Sequence, residues 1–314
     1  MRRLNILIWH IHGSYLNALG CLDHNWYLPV KPDKPEGYGG RGRTFDMHKR
    51  MHEVPVEQVR DLDLDLIIYQ TPKNFFEDGP EILSAEQRRL PQIYLEHNTP
   101  RPHPTDSKHP IDDPNVLLVH VTHFNQLMWD NGASPTVVIE HSVAIDPTAR
   151  YSGEREQGIT IINGMHRRPR IAGHDLFLRM RESVPLTAAG METEMFGGLG
   201  DVPYRDLHRQ VAEYRFLFSP MRYTSLPLAV IEGLTIGMPV VALATTELPT
   251  VIEDGVHGYV SCNVEYLIER MRDLLAHPEE ARRLGANARK LAEERFSLDR
   301  FARDWNAAFE RVLS

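Results

Sequence analysis

The stretch Phe216-Leu-Phe-Ser-Pro-Met-Arg-Tyr-Thr-Ser-Leu-Pro-Leu-Ala-Val-Ile-Glu-Gly-Leu-Thr-Ile-Gly-Met-Pro-Val-Val-Ala242 decides the fold. Its first apolar run, Phe216–Ser219, is too short for a helix and ends at Pro220, so it reads as a buried strand. A turn follows, then a helical run that Gly237 and Pro239 stop, and then a second apolar strand from Val240. Thr224 or Ser225 is placed to cap that helix, and Pro227 suits its first turn. A helix starting near residue 225 aims backbone N–H groups and a positive dipole end outward, which suits a diphosphate. Glu232 lies about one and a half turns in and leans back toward the N-terminus, where a carboxylate accepts hydrogen bonds from the vicinal hydroxyls of a ribose.

The same alternation extends in both directions. Leu4–Trp9, Leu64–Gln70, Gln92–Leu95, Val116–Val121 and Val137–Glu140 read as strands. A second series comprises Ile159–Asn163, Leu186–Ala189, Phe216–Ser219, Val240–Leu243 and Gly258–Val260. Strands separated by helical patterns imply parallel sheets covered on both faces. The break falls near residues 143–152, which predicts one domain over 1–147 and a second over 148–297. Two long Pro-rich stretches, 28–44 and 98–114, have no period and read as loops; the second follows a strand's carboxyl end, where open α/β sheets place ligands.

Composition narrows the class. With 314 residues, 42% of them hydrophobic, the chain is globular and needs no disulfide or metal to fold. Cys21 and Cys262 match no metal or redox spacing and fit a reducing compartment, so a cytoplasmic location is expected. The basic opening Met1-Arg2-Arg3 is followed by an apolar run broken at His10 and His12, unlike a signal peptide. No stretch reaches the length of a membrane span, although peripheral attachment through a helix face leaves no such trace. A net charge of −8 argues against nucleic acid as a partner. His10 and His12 are expected on one side of a strand, but no further ligand completes a metal set. Glu253 and Asp254 read as a solvated turn, and the chain contains no nucleophile elbow, Walker loop or dinucleotide fingerprint.

The 216–242 segment resembles the donor-binding motif of the family-4-type retaining glycosyltransferases, in which a strand ends in Pro and is followed by a Glu, seven residues and a second Glu. Pro220 and Glu232 match the Pro and the second Glu, while Thr224 stands where the first Glu is usual. The resemblance continues through Leu248–Gly258, with Thr250 at another usual Glu, and through His277–Gly285 and Arg295–Ser297. In the first half, Trp9–Tyr15, Tyr94–Asn98, Val119–Phe124, Asn131-Gly132 and Val137–Asp146 resemble the family's first-domain units more loosely. Asn163–Gly173 resembles the loop that carries an Arg and a Lys for the diphosphate: Arg167 matches the Arg, and Ala172 stands at the Lys, with Arg168 and Arg170 close enough in sequence to restore the charge.

The resemblance implies a GT-B architecture: two Rossmann-like domains facing a cleft, with residues 298–314 as a helix crossing back to the first domain. It implies a retaining, metal-independent transfer from a UDP- or GDP-sugar to a hydroxyl acceptor, either a glycan or a lipid-linked one. The nucleotide sugar is then a co-substrate and no cofactor is needed. The implied roles place His97 and Thr224 at the sugar, and Arg167, Arg168, Arg170, Ser225 and Leu226 at the diphosphate. Glu232 takes the ribose, and His12, Gly13 and Ser14 stand on the first-domain side of the donor. The competing expectation is a non-catalytic GT-B protein that binds a nucleotide sugar or a protein partner.

Overall fold

The structure, a computed structural model, describes residues 2–314; Met1 of the basic opening lies outside them. The chain divides into two compact units, one running to Ala144 and taking in Leu298–Ser314, the other spanning Ile145–Ser297.

The first unit is a seven-stranded sheet of β1 (Asn5–Ile8), β2 (Asn25–Val30), β3 (Met51–Pro55), β4 (Leu66–Tyr69), β5 (Gln92–Glu96), β6 (Val116–His120) and β7 (Thr136–Val138). Its order is β3-β2-β1-β4-β5-β6-β7, and every pairing is parallel. Helices α1 (Gly13–Leu19), α2 (Gly79–Ile82) and α3 (His123–Met128) lie between strands. Strands β4 and β6 are buried at every position, which is why they read as continuous apolar runs.

Two strands escaped that reading. β2 carries Pro29 and half-exposed residues, and the edge strand β3 is largely exposed, with His52 and Glu53 at its centre. Residues 28–30 therefore belong to β2 rather than to a loop, and the rest of that segment is tied down by bridges from Gly37 to His10 and from Gly39 to Val30. Tyr38 is buried in the core with Trp9 and Tyr69. His10 and His12 do not share a strand face: β1 ends at Ile8, and His12 is already the N-cap of α1.

The second unit is a five-stranded sheet of β8 (Arg155–Ile161), β9 (Leu186–Ala189), β10 (Tyr214–Ser219), β11 (Val240–Leu243) and β12 (Gly258–Ser261). All pairings are parallel, in the order β12-β11-β10-β8-β9. It carries α4 (Pro169–Ala172), α5 (His174–Arg181), α6 (Tyr204–Val211), α7 (Leu228–Ile236), α8 (Leu248–Val251), α9 (Val264–Ala276) and α10 (Pro278–Arg295). The order reverses between β8 and β10, so their carboxyl ends flank the crevice where open α/β sheets bind ligands. α7 is apolar nearly all round because it is covered on most sides, and Gly237 at φ 96° ends it in the left-handed turn that favours glycine.

The last helix, α11 (Leu298–Leu313), belongs to the first unit. Phe301, Trp305, Ala308 and Phe309 form one buried stripe at helical spacing. Trp305 Nε1 donates to the Tyr15 hydroxyl at 3.2 Å, His24 Nε2 meets Asn306 Oδ1 at 2.9 Å, and the Arg300 guanidinium donates to the carbonyls of Glu140 and His141.

This unit also buries several histidines as neutral rings. Burial pushes His12 and His120 down to about 4 and His141 to about 3, and at His120 the hydrogen bond to Asn131 offsets part of the effect. An unfolded chain takes up these protons near pH 6.5, whereas the folded chain resists until near pH 4. Stability is therefore full above about pH 6.5 and falls from there toward pH 4, by about 1.4 kcal/mol per pH unit for each such group. Denaturant midpoints at pH 7, 6 and 5 should decline steadily, with a shallower decline in His141→Leu; a flat profile contradicts the burial of neutral rings.

Candidate functional site

The turns after β8 and β10 meet at the reversal of the second sheet. A cavity of about 10 Å³ between them is lined by Thr160–Ile162, Leu217–Met221 and the start of α7. The loop from Met221 to Pro227 rims that crevice and is held from both flanks. On one side, Thr245 Oγ1 donates to the Met221 carbonyl at 3.0 Å and Thr246 Oγ1 to the Ser225 carbonyl at 3.2 Å. On the other, Arg222 N donates to the Ile171 carbonyl at 2.9 Å, and the Arg222 guanidinium grips Asp175 at 2.6 and 3.0 Å. That hydrogen bond holds the Asp175 carboxyl down at about 2. Gly173 makes the junction possible: at φ 77° a Cβ there would stand 2.1 Å from the Pro220 carbonyl oxygen.

α7 starts later than expected. It begins at Leu228 with Pro227 as N-cap and no side-chain capping bond, so neither Thr224 nor Ser225 caps it. Proline at 227 supplies no N–H and extends the loop before the first helical turn. Thr224 is half-buried, and among the described residues its hydroxyl has no hydrogen-bond partner. Ser225 and Leu226 are buried.

Glu232 is buried on α7, where Tyr204 of α6 donates its hydroxyl to Oε1 at 3.2 Å and His208 Nε2 stands 4.0 Å away. Tyr204 and His208 went unnoticed in the sequence. They sit four residues apart on one helix face, a spacing shared by many ordinary helices, and only the packing of α6 on α7 singles them out.

The basic loop after β8 is not a row of free cations. Arg167 Nε donates to Glu192 Oε2 at 2.8 Å and its Nη2 pairs with Oε1 of the same carboxylate. Arg170 is paired with Asp175 at 2.7 Å. Arg168 is exposed and makes no ion pair among the described residues. Ala172 is buried in the core, so that position offers no cation. Arg167, Arg168, Glu192, Asn163, Gly164 and Met191 together line an open cleft of about 270 Å³.

In the first unit, His12 and His97 come together with ring centroids 4.1 Å apart, and Tyr15 packs edge-on against His97 at 4.8 Å. Gln70 Nε2 donates to the Trp9 carbonyl at 2.6 Å, which can only accept, so Gln70 Oε1 faces His97 and takes a hydrogen bond from its Nε2 at 2.9 Å. Burial holds His97 well below the usual imidazole range, and its Nδ1 therefore carries a lone pair. Gly13 and Ser14 open α1 beside these rings. The group that a Cβ on Gly13 would strike is the Phe45 ring, at 2.5 Å.

The 98–114 segment is stitched to the sheet rather than loose. His109 Nε2 meets Glu96 Oε2 at 3.1 Å with both residues buried, Trp129 Nε1 donates to the Asn98 carbonyl at 2.9 Å, and His109 N donates to the Asp130 carbonyl at 2.8 Å. His103 stays exposed. Among the described residues no group of three or more His, Cys, Asp or Glu is arranged to hold a metal, and no helix is long and apolar enough to cross a membrane.

Comparison with known proteins matches residues 190–291 to the family described as glycosyl transferases group 1. Spore coat protein SA of Bacillus subtilis (strain 168) is 33% identical over 83 residues, covering 26% of this chain and 22% of that protein. Sucrose-phosphate synthase from Thermosynechococcus elongatus superposes with a TM-score of 0.72 at 13% identity, covering 99% of both chains. Anabaena HepE in complex with UDP and glucose also gives 0.72 at 13% identity, over 98% of this chain and all of that one. S. aureus TarM, in a complex containing UDP, gives 0.62 at 15% identity over 78% of this chain and 55% of its own. The chain has the GT-B fold of these glycosyltransferases, and the stretch that contains its strand–loop–helix motif matches the glycosyl transferases group 1.

Proposed function

We propose that the chain is a retaining, metal-independent glycosyltransferase that moves a sugar from a nucleotide diphosphate sugar to a hydroxyl acceptor of a glycan or glycoconjugate. The observation that carries this reading is the group 1 match over 190–291, centred on a stitched loop between β10 and α7 at the reversal of the sheet. HepE was solved with UDP and with UDP-glucose, which favours a UDP-sugar as donor over a GDP-sugar.

In this reading Arg167 and Arg168 grip the diphosphate, since a guanidinium fork matches phosphate oxygens. Arg170 serves differently: through Asp175 and Arg222 it braces the loop. Glu232, oriented by Tyr204, accepts from the ribose hydroxyls. The backbone of Ser225 and Leu226 borders the diphosphate, and the free hydroxyl of Thr224 reaches the sugar. On the first unit, neutral His97 and His12 hydrogen-bond the sugar without adding charge, beside the α1 start at Gly13 and Ser14. The acceptor oxygen bonds to the anomeric carbon as the bond from that carbon to the phosphate oxygen breaks, and the acceptor proton passes to the departing phosphate. Catalysis is then positional and electrostatic, and needs no protein nucleophile.

The cations of the diphosphate site are arginines, so transfer from UDP-glucose should persist in excess EDTA; loss restored by manganese or magnesium contradicts this. Glu232→Gln should keep the fold and weaken nucleoside diphosphate binding by about 1–3 kcal/mol, the range for hydrogen bonds to a charged group. Equal affinities in calorimetric titration remove Glu232 from the site. Thr224→Val should leave nucleoside diphosphate affinity within error and lower turnover roughly tenfold, about 1.4 kcal/mol of transition-state stabilisation. Unchanged turnover makes Thr224 a turn residue, and a wild type that turns over no donor supports the non-catalytic binding protein instead.

A further inference from the structure

The carboxylate of Glu192 occupies the guanidinium that the proposed function assigns to the diphosphate, and it is held there by construction. Glu192 sits in the turn after β9 with φ 68° and ψ 9°, a left-handed backbone that favours glycine. The turn is fastened to the one after β8: Met191 N donates to Asn163 Oδ1 at 2.8 Å, and Gly164 N donates to the Met191 carbonyl at 3.0 Å. His166 Nε2 lies 3.5 Å from the same carboxylate. A non-glycine residue held in this backbone by its surroundings is a feature that clusters at functional sites.

We propose that Glu192 is a competing anion for Arg167 which sets the affinity of the cleft for the nucleoside diphosphate, both in the donor and in the departing product. This rests on the reading of Arg167 as a diphosphate ligand. A carboxylate and a phosphate use the same bidentate face of a guanidinium, so only one of them holds Arg167 fully at a time. In the empty cleft Glu192 keeps Arg167 oriented and neutralised, leaving Arg168 as the unpaired cation that meets an incoming diphosphate first. The Arg167–Glu192 pair is partly exposed, with side chains 67% and 29% accessible, so its exchange is cheap enough to be reversible in every cycle. Once displaced, the carboxylate remains beside a polyanion and repels it. The consequence is weaker grip on donor and product alike, and faster product release.

The test is calorimetric titration of wild type, Glu192→Gln and Arg167→Gln with UDP over a series of KCl concentrations. Glu192→Asn, which suits a left-handed backbone, is the second variant should the glutamine form fold poorly. The expected result is UDP binding about 3- to 10-fold tighter when the carboxylate is removed, with a steeper salt dependence because one more cation faces the phosphates. That gain should vanish when the substitution is made in the Arg167→Gln background. Equal or weaker binding by both Glu192 variants, with wild type binding normally, overturns the inference and makes Glu192 a simple orienting partner of Arg167. Absence of nucleotide binding in wild type and every variant overturns the proposed function itself.

Discussion

A parallel sheet whose strand order reverses leaves one crevice at its carboxyl edge, and in Ile145–Ser297 the rest of the local structure depends on keeping that crevice open and fixed. The strands on either side of the reversal, β8 and β10, end in turns instead of running straight into long helices. Both turns are then tied to their neighbours by side-chain to backbone hydrogen bonds: the loop after β10 by Thr245, Thr246 and Arg222, and the turn after β8 by the Asn163 contact to Met191. For the proposed transfer, in which the protein contributes no covalent step, a rigid rim supplies the positioning on which the rate depends.

Charge is arranged with the same economy. Four arginines, Arg167, Arg168, Arg170 and Arg222, stand near the crevice, yet three of them pair with a carboxylate, Arg167 with Glu192 and both Arg170 and Arg222 with Asp175. An unopposed cluster would pay self-repulsion in the empty state and bind any polyanion. Pairing two of them with Asp175 turns charge into a structural brace between α4, α5 and the loop, while the exposed Arg167 and Arg168 remain toward the cleft. The burial of Glu232 follows the same logic. A carboxylate out of water needs partners, and the Tyr204 hydroxyl provides one while fixing its orientation.

Much of this architecture was legible in the sequence, for a physical reason: strands buried on both faces are mostly apolar, so β4, β5, β6, β9, β10 and β11 each present a short apolar run. β2 and β3 were missed because Pro29, His52 and Glu53 break that signature near the sheet edge. The start of α7 was misjudged because Thr224 and Ser225 are good capping residues by type, whereas the backbone there is spent on hydrogen bonds to β11's turn. Partners brought in from distant sequence had no local signal at all: Glu192 for Arg167, Asp175 for Arg222 and Tyr204 for Glu232 are joined only by the return of the chain. The Glu96–His109 pair likewise converts an apparently loose 98–114 segment into a stitched one, because a histidine in a Pro-rich stretch gives no hint of a buried carboxylate thirteen residues earlier.

The central claim is that the crevice beside β8 and β10 recognises a diphosphate joined to a nucleoside. The most direct measurement is calorimetric titration of the intact chain with UDP-sugars and GDP-sugars alongside UMP, GMP and free sugars. The expected result is saturable binding of at least one nucleotide sugar, with its nucleoside diphosphate binding at least tenfold more tightly than the monophosphate, a difference of about 1.4 kcal/mol. Binding of no nucleotide sugar, or equal affinity for monophosphate and diphosphate, would contradict it.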